Sequence, residues 1–439
     1  MELTFPTLLA IVIALSAGIP AVFILGTRYA AVRLTGRSGS QAAPMSGPLT
    51  LPTIRFASWA GAIRTLMILG LLAAGAAIIL LRFVFGIGAV TNLSNRFAWG
   101  LWISFDVMSG VALAAGAFVL CAAVHIFGIK RFEPLVRPAI LTGFLGYLLV
   151  VCGLVVDLGR PYNIWRPLVN WQHRSVLWEV GVCVATYTTV LLIEFLPVIL
   201  ERISKFETLA KRLMVAPIYR FLRRISIVFV ILGVVLSTLH QSSLGSLWVL
   251  MPTKLDPLWY TIYLPFFFWL SAVAVGPAMV IVEGTLSAKA FKRPIESHLL
   301  ADLGKFTAVV LGIYLVLKMA DLVARGAWTH LFEADLQAAS FWAEIVLGVI
   351  VPMAIFANRS LRQRPGVLFG AASLVVLCGI VLNRLNVGII GLIPYTGNIY
   401  LPSWMEVVVT LTLVTAGVMI FWLAAKYLPV FVEHEKEGA

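Results

Sequence analysis

The chain has 439 residues, of which 61% are hydrophobic and only 12% charged. Soluble domains average about 45–50% apolar and about 25% charged residues, so this composition excludes a soluble globular protein. In such a chain the net charge of +13 reports membrane topology, not nucleic-acid binding.

Apolar runs of the length a helix needs to cross a bilayer recur throughout the sequence. They predict an all-α polytopic bundle with eleven transmembrane helices at 6–26, 64–86, 99–125, 138–158, 176–199, 225–248, 259–285, 304–324, 339–357, 366–387 and 404–428. The first run lacks the basic n-region of a signal peptide and is followed by a basic segment, so it reads as a retained helix. The Gly/Ser/Pro-rich stretch TGRSGSQAAPMSGPLTLPTIR at 35–55 sets it apart. Three units follow: an extra N-terminal helix with its linker (1–60), a membrane domain (61–430) and a polar tail (431–439).

Lysine and arginine divide unevenly between alternate loops. One set holds 24 of the 33, the opposite loops and span ends hold seven, and Lys318 and Arg384 are embedded in spans. Cytoplasmic loops carry the excess, which predicts a multi-pass membrane protein whose N-terminus faces out and whose tail VEHEKEGA faces the cytoplasm.

With that orientation, four polar groups from consecutive spans fall at similar depth beneath the outer face. Asp106 lies in WGLWISFDVMSG, Asp157 ends a span in VVDLGRP with Arg160 three residues on, Glu179 opens one in SVLWEV, and His240 sits in STLHQSSLGS. Ionisable groups in a membrane are rare and mark functional sites by default. Structural alternatives stand beside that reading. Asp157 and Arg160 can form an interfacial ion pair, and Glu179 suits a helix N-terminus. His240 alone reads as a satisfied core histidine; beside Asp106 it becomes half of a proton donor–acceptor pair. Small residues nearby (Ser109, Gly110, Gly245) leave room for a flat ligand.

A second polar trail runs through Glu194, Glu283, His125 and Glu344, either as a proton route to the cytoplasm or as structural pairs. Lys318 and Asp321, three apart on one helix, read as neutralising each other. The four cysteines never pair as CxxC, and of the six histidines only His125 and His240 lie in spans, near opposite faces. That predicts no iron–sulfur cluster, no haem and no metal site in this chain.

The ordered motifs WGLWISFDVMSG, VRPAILTGFLGYLL, VDLGRPYNIW, SVLWEVGVC, IEFLP and STLHQSSLGSL resemble the NrfD/PsrC family of quinone-interacting membrane subunits. The HybB-like branch is the nearest in pattern, and the membrane subunits of alternative complex III and of cytochrome-fed menaquinone reductases are similar. The likeness covers about 64–430; the first span and its linker depart from the HybB pattern. The resemblance implies a ten-helix core with two four-helix bundles at its heart, plus the extra N-terminal helix. It implies menaquinone or ubiquinone as substrate, bound near the outer face, and no redox cofactor in the chain. Asp106, Asp157, Arg160, Glu179, His240, Gln241 and Ser242 would line or support the pocket, with walls from Trp99, Trp102, Phe105 and Trp178. Asp106 and His240 would exchange the protons. Electrons would pass through a periplasmic ferredoxin-like iron–sulfur subunit, with hydrogenase, molybdopterin-type or multihaem cytochrome subunits beyond it. That partner would dock on the loops 159–175, 249–258 and 388–403. The chain would be one subunit of an oxidoreductase in the lipid bilayer, not catalytic alone. A secondary transporter would instead show internal repetition and a midplane site, and a passive anchor would have no use for Asp106 or His240.

Overall fold

The computed structural model describes residues 59–97 and 99–431. The expected helix at 6–26, its linker and the tail beyond 431 lie outside the described residues. Ten helices among the described residues are long and apolar enough to cross a membrane. We label them α1 (Trp59–Phe85), α2 (Trp102–Ile126), α3 (Glu133–Asp157), α4 (Val176–Ile203), α5 (Val215–Val249), α6 (Leu264–Phe291), α7 (Ser297–Ala324), α8 (Leu336–Ala357), α9 (Pro365–Thr396) and α10 (Trp404–Tyr427). No strand occurs among the described residues. This is a polytopic helical membrane protein.

Local sequence explains where several helices start. Ser175 caps α4 by accepting from the Trp178 N–H at 3.3 Å, and Asp335 caps α8 by accepting from the Ala338 N–H at 2.8 Å. Ser403 and Glu406 form a reciprocal capping box at the start of α10, which satisfies amides that hydrocarbon would leave bare. The largest boundary difference is α5, expected from 225 and beginning at Val215. Arg220, Arg223 and Arg224 are exposed on that extension. Thirty-five residues make a helix of about 52 Å, so the basic turns continue the helix beyond the hydrocarbon layer.

Helices α2–α5 close one ring of packed neighbours and α6–α9 a second. α6 touches both α2 and α5 and is the most enclosed helix after α2, whereas α10 and α1 pack on the outside of α3. Glycine permits the closest approach between the rings: a Cβ on Gly276 would lie 3.0 Å from the backbone of Ala115. Leu66, Met67, Leu80 and Val84 of α1 remain exposed, as expected of a lipid-facing helix. The loops rich in Lys and Arg (127–137, 202–224, 289–305, 358–364) all fall at one end, called the basic end below.

Candidate functional site

At the end opposite the basic one, the first bundle carries two polar clusters separated by α3. The first lies between α1, α2, α3 and α10. α2 opens as a π-helix over Trp102–Val107, and Asp106 on it is buried and accepts a hydrogen bond from the Thr410 hydroxyl at 2.8 Å. Gly153 permits that approach, because a Cβ there would stand 3.2 Å from the Asp106 Cβ. One turn beyond Gly153, Asp157 is half-buried, and its Oδ1 has no protein partner. The charge facing Asp157 is Arg82. Arg82 is buried at the end of α1 and donates to the carbonyls of Val156 and Leu158. It thereby caps the C-terminus of α3. The interfacial ion pair that stood as the structural alternative for Asp157 and Arg160 does not form: Arg160 is exposed, because the chain turns outward immediately after Leu158, and Arg82 faces Asp157 instead.

Glu406 completes this cluster. It accepts from the Asn92 N–H at 2.9 Å, the Ser403 N–H at 3.0 Å and the Tyr400 hydroxyl, while Trp102 Nε1 donates to the Glu406 carbonyl at 3.2 Å. Burial, and then the neighbouring Glu406 carboxylate, raise the Tyr400 hydroxyl well above the usual phenol range, so it remains a donor at physiological pH.

The second cluster lies between α3, α4 and α5. His240 is fully buried; its Nδ1 meets the Tyr147 hydroxyl at 2.9 Å, and its Nε2 has no protein partner. Tyr147 packs edge-on against Tyr187 with centroids 4.5 Å apart, and the Ser237 side chain lies beside both phenols. Towards the near end, Ser243 donates to Glu179 at 2.5 Å. Towards the basic end, the Glu194 carboxylate sits against Gly233, its Oε1 buried and unpartnered. Helical spacing explains the alignment. Glu179, Cys183, Tyr187 and Glu194 share one face of α4, and Gly233, Ser237, His240 and Ser243 share the facing side of α5. Gln241 points the other way, donating to the Val111 carbonyl at 2.9 Å with its Oε1 buried and unpartnered.

Asp106 and His240 therefore do not contact each other: α3 stands between their clusters, with Gly153 turned to one and Tyr147 to the other. The remaining candidates also separate. Trp102 and Phe105 are buried, Trp102 against Val156 and Val409 and Phe105 in the central core. Trp99 stacks edge-on with Trp248. Trp178 turns away to the 159–175 loop, donating to the Pro167 carbonyl at 2.7 Å. Ser242 is half-buried, and its carbonyl accepts from Ser246. Gly245 leaves no room for a ligand, because a Cβ there would lie 2.6 Å from Pro265 Cα; the glycine serves helix contact.

Of the second trail, Glu283 is buried near the basic end and accepts from Thr142 at 3.1 Å, but His125 is exposed. Glu344 lies about 12 Å into α8 from the end opposite the basic one, in the second bundle. It accepts from Trp259 Nε1 at 3.0 Å, Asn383 at 2.8 Å and Asn386 at 2.9 Å. Asp321 pairs with Arg325 at 2.8 Å instead of with Lys318, and Lys318 lies over the Phe267 and Phe341 rings. Spacing explains the exchange: a residue four apart competes with one three apart for the same carboxylate. Among the described residues no group of three or more His, Cys, Asp or Glu side chains is arranged around a metal position.

The loops differ in what they offer a partner. Tyr162, Trp165, Leu168, Val169 and Trp171 of 159–175 are exposed. The other two loops are mixed: Leu255 and Leu258 of 249–258, and Ile389, Ile390 and Leu392 of 388–403, are buried in the core, while Leu250, Tyr395 and Ile399 are exposed. Sequence reasoning missed Arg82, Tyr147, Tyr187, Thr410 and Glu406. Tyr147 and Tyr187 carry a readable signal, as tyrosines on the polar faces of spans; Arg82 looked like an ordinary span-end arginine.

The family model described as polysulphide reductase, NrfD, matches residues 89–396. A protein of Nitratidesulfovibrio vulgaris is 40% identical over 376 residues, covering 83% of this chain and 93% of that one. The probable Ni/Fe-hydrogenase 2 b-type cytochrome subunit of Escherichia coli is 32% identical, covering 80% of this chain and 88% of that one. The integral membrane subunit of the N. vulgaris menaquinone reductase is also 32% identical, covering 79% and 86%.

Proposed function

The chain belongs to the polysulphide reductase NrfD family, and from that premise we propose that it is the quinone-reactive membrane subunit of a respiratory oxidoreductase complex. The observation that carries the reading is a set of buried polar atoms left without protein partners at one end of the first bundle: Asp157 Oδ1, His240 Nε2 and Gln241 Oε1. Leaving such atoms unpaired costs about 1–3 kcal/mol each, and a headgroup bound at Asp157 on one side of α3, with proton transfer at His240 on the other, offsets that cost.

A quinone supplies acceptance of two electrons and two protons. On this reading Asp106 and Asp157 receive the headgroup beside Arg82, with Trp102 and Phe105 behind them. His240 moves protons along the stripe Glu179–Ser243–His240–Tyr147–Tyr187–Glu194 between α4 and α5, and Glu283 exchanges them with the basic end. The basic end is cytoplasmic by the excess of Lys and Arg, so the clusters lie near the periplasmic face of an inner membrane. Electrons arrive through an iron–sulfur subunit seated on the exposed aromatic loop 159–175. A haem held between two histidines does not suit these residues, because His125 and His240 lie near opposite ends. A Soret band that travels with this subunit on purification would overturn that part.

The test is quinone-linked electron transfer in the purified, intact complex. Asp106→Asn and His240→Ala are expected to lower turnover by on the order of 10²-fold or more with partner subunits still bound. Unchanged turnover in both variants would leave the chain an anchor.

A further inference from the structure

At the basic end a cleft opens between the ends of α3 and α6, walled by Pro138, Gly284, Arg293 and Glu296, and Glu283 lies along it. Glu283 is only 3% exposed. The chain leaves α10 at Tyr427 and runs extended through Leu428 across this mouth. Three contacts hold the strap Leu428–Phe431. Val430 is fully buried among Leu141, Leu145, Phe195 and Val198. Arg137 donates to the Pro429 carbonyl at 3.0 Å. The Phe431 ring lines the cleft, with the Arg293 guanidinium 3.9 Å above its centroid and the Phe291 ring 5.7 Å away.

These contacts are unequal. Val430 is a core anchor that opens only with the helices around it. Phe431 is half-buried and held by a cation–π contact and a ring edge at the water interface. We propose that Phe431 is a gate: clamped by Arg293, it restricts passage of water and protons from the basic side to Glu283, and it swings about the fixed Val430. This rests on the reading that Glu283 exchanges protons with that side, but the closure is a matter of access and is measurable without turnover.

The experiment uses the full chain in its complex, in vesicles whose basic face is accessible. A water-soluble carbodiimide with a small amine nucleophile reports Glu283 exposure by peptide mass spectrometry, and the exposed Glu207 serves as reference. Phe431→Ala is expected to raise Glu283 labelling about two- to fivefold relative to Glu207, the factor that corresponds to losing an exposed cation–π clamp. Phe431→Tyr should stay at the wild-type rate, and Arg293→Gln, which keeps the ring and loosens the clamp, should fall between. Labelling unchanged in both Phe431→Ala and Arg293→Gln, or wild-type Glu283 already reacting as fast as Glu207, would overturn the gate. If Phe431→Ala does not accumulate, Arg293→Gln decides alone. Proton uptake that survives Glu283→Gln would remove the proton role of that carboxylate and leave the gate standing.

Discussion

In the second bundle the Glu344 carboxylate accepts three hydrogen bonds from Trp259, Asn383 and Asn386. Arg384 there donates to Asn383, to Ser271 and to the Phe268 carbonyl and lies 3.6 Å over the Phe268 ring, leaving only its Nε without a partner. In the first bundle, towards the same end, His240 and Asp157 each leave one buried atom without a partner. Both bundles place ionisable groups in hydrocarbon, where an unpaired one is costly. The difference lies in which atoms are left open: an arginine Nε, which stays protonated, in the second bundle, and a carboxylate oxygen and an imidazole nitrogen in the first. A carboxylate whose lone pairs are filled by an indole and two amides has nothing to exchange, and its network locks α6, α8 and α9 together. A histidine fixed at one nitrogen and free at the other is poised to transfer a proton.

That contrast can be broken by substitutions in either bundle. The largest effect on chemistry is expected from Asp106→Asn and His240→Ala, which should lower quinone turnover by on the order of 10²-fold or more, the scale of a lost acid–base group, with assembly intact. Glu344→Gln should do the reverse. Removing the anion takes away the carboxylate that faces buried Arg384 and helps Asp321 to balance Lys318, a cost of about 3–5 kcal/mol, read as a lower unfolding midpoint and reduced yield, while surviving complexes turn over normally. If Glu344→Gln stops turnover without loss of stability, the two bundles are not divided in this way. Tyr147→Phe sharpens the comparison from within the first bundle. It removes the hydroxyl that orients His240 and should slow turnover about tenfold, which matches roughly 1.4 kcal/mol. The smallest effect belongs to Arg160→Ala: because Arg160 is exposed and Arg82 faces Asp157, turnover should stay within about twofold, while Arg82→Ala should not.

The helices were legible from sequence because hydrocarbon leaves the backbone few options, and apolar runs of spanning length register that constraint directly. The candidate residues were legible one at a time, for the same reason: Asp106, His240, Glu283 and Glu344 are conspicuous among apolar neighbours. Their partners were not. Depth along a span places Asp106 and His240 at one level, but it does not say that α3 stands between them. Arg82 is 75 residues from Asp157 in sequence, and only the packing of α1 on α3 brings them together. Lys318 and Asp321 looked like a pair by spacing until Arg325, four residues past Asp321, took the carboxylate. Gly245 illustrates a further limit: a small residue in a span can make room for a ligand or for another helix, and composition does not distinguish the two.

The most direct measurement is to map a photoactivatable azidoquinone on this chain in the assembled complex, with unlabelled quinone as competitor. Competed adducts are expected within 99–110, 150–160 or 400–412, the segments that carry Asp106, Asp157 and Thr410. Competed adducts confined to α6–α9 would contradict the account and assign the quinone to the bundle read here as structural.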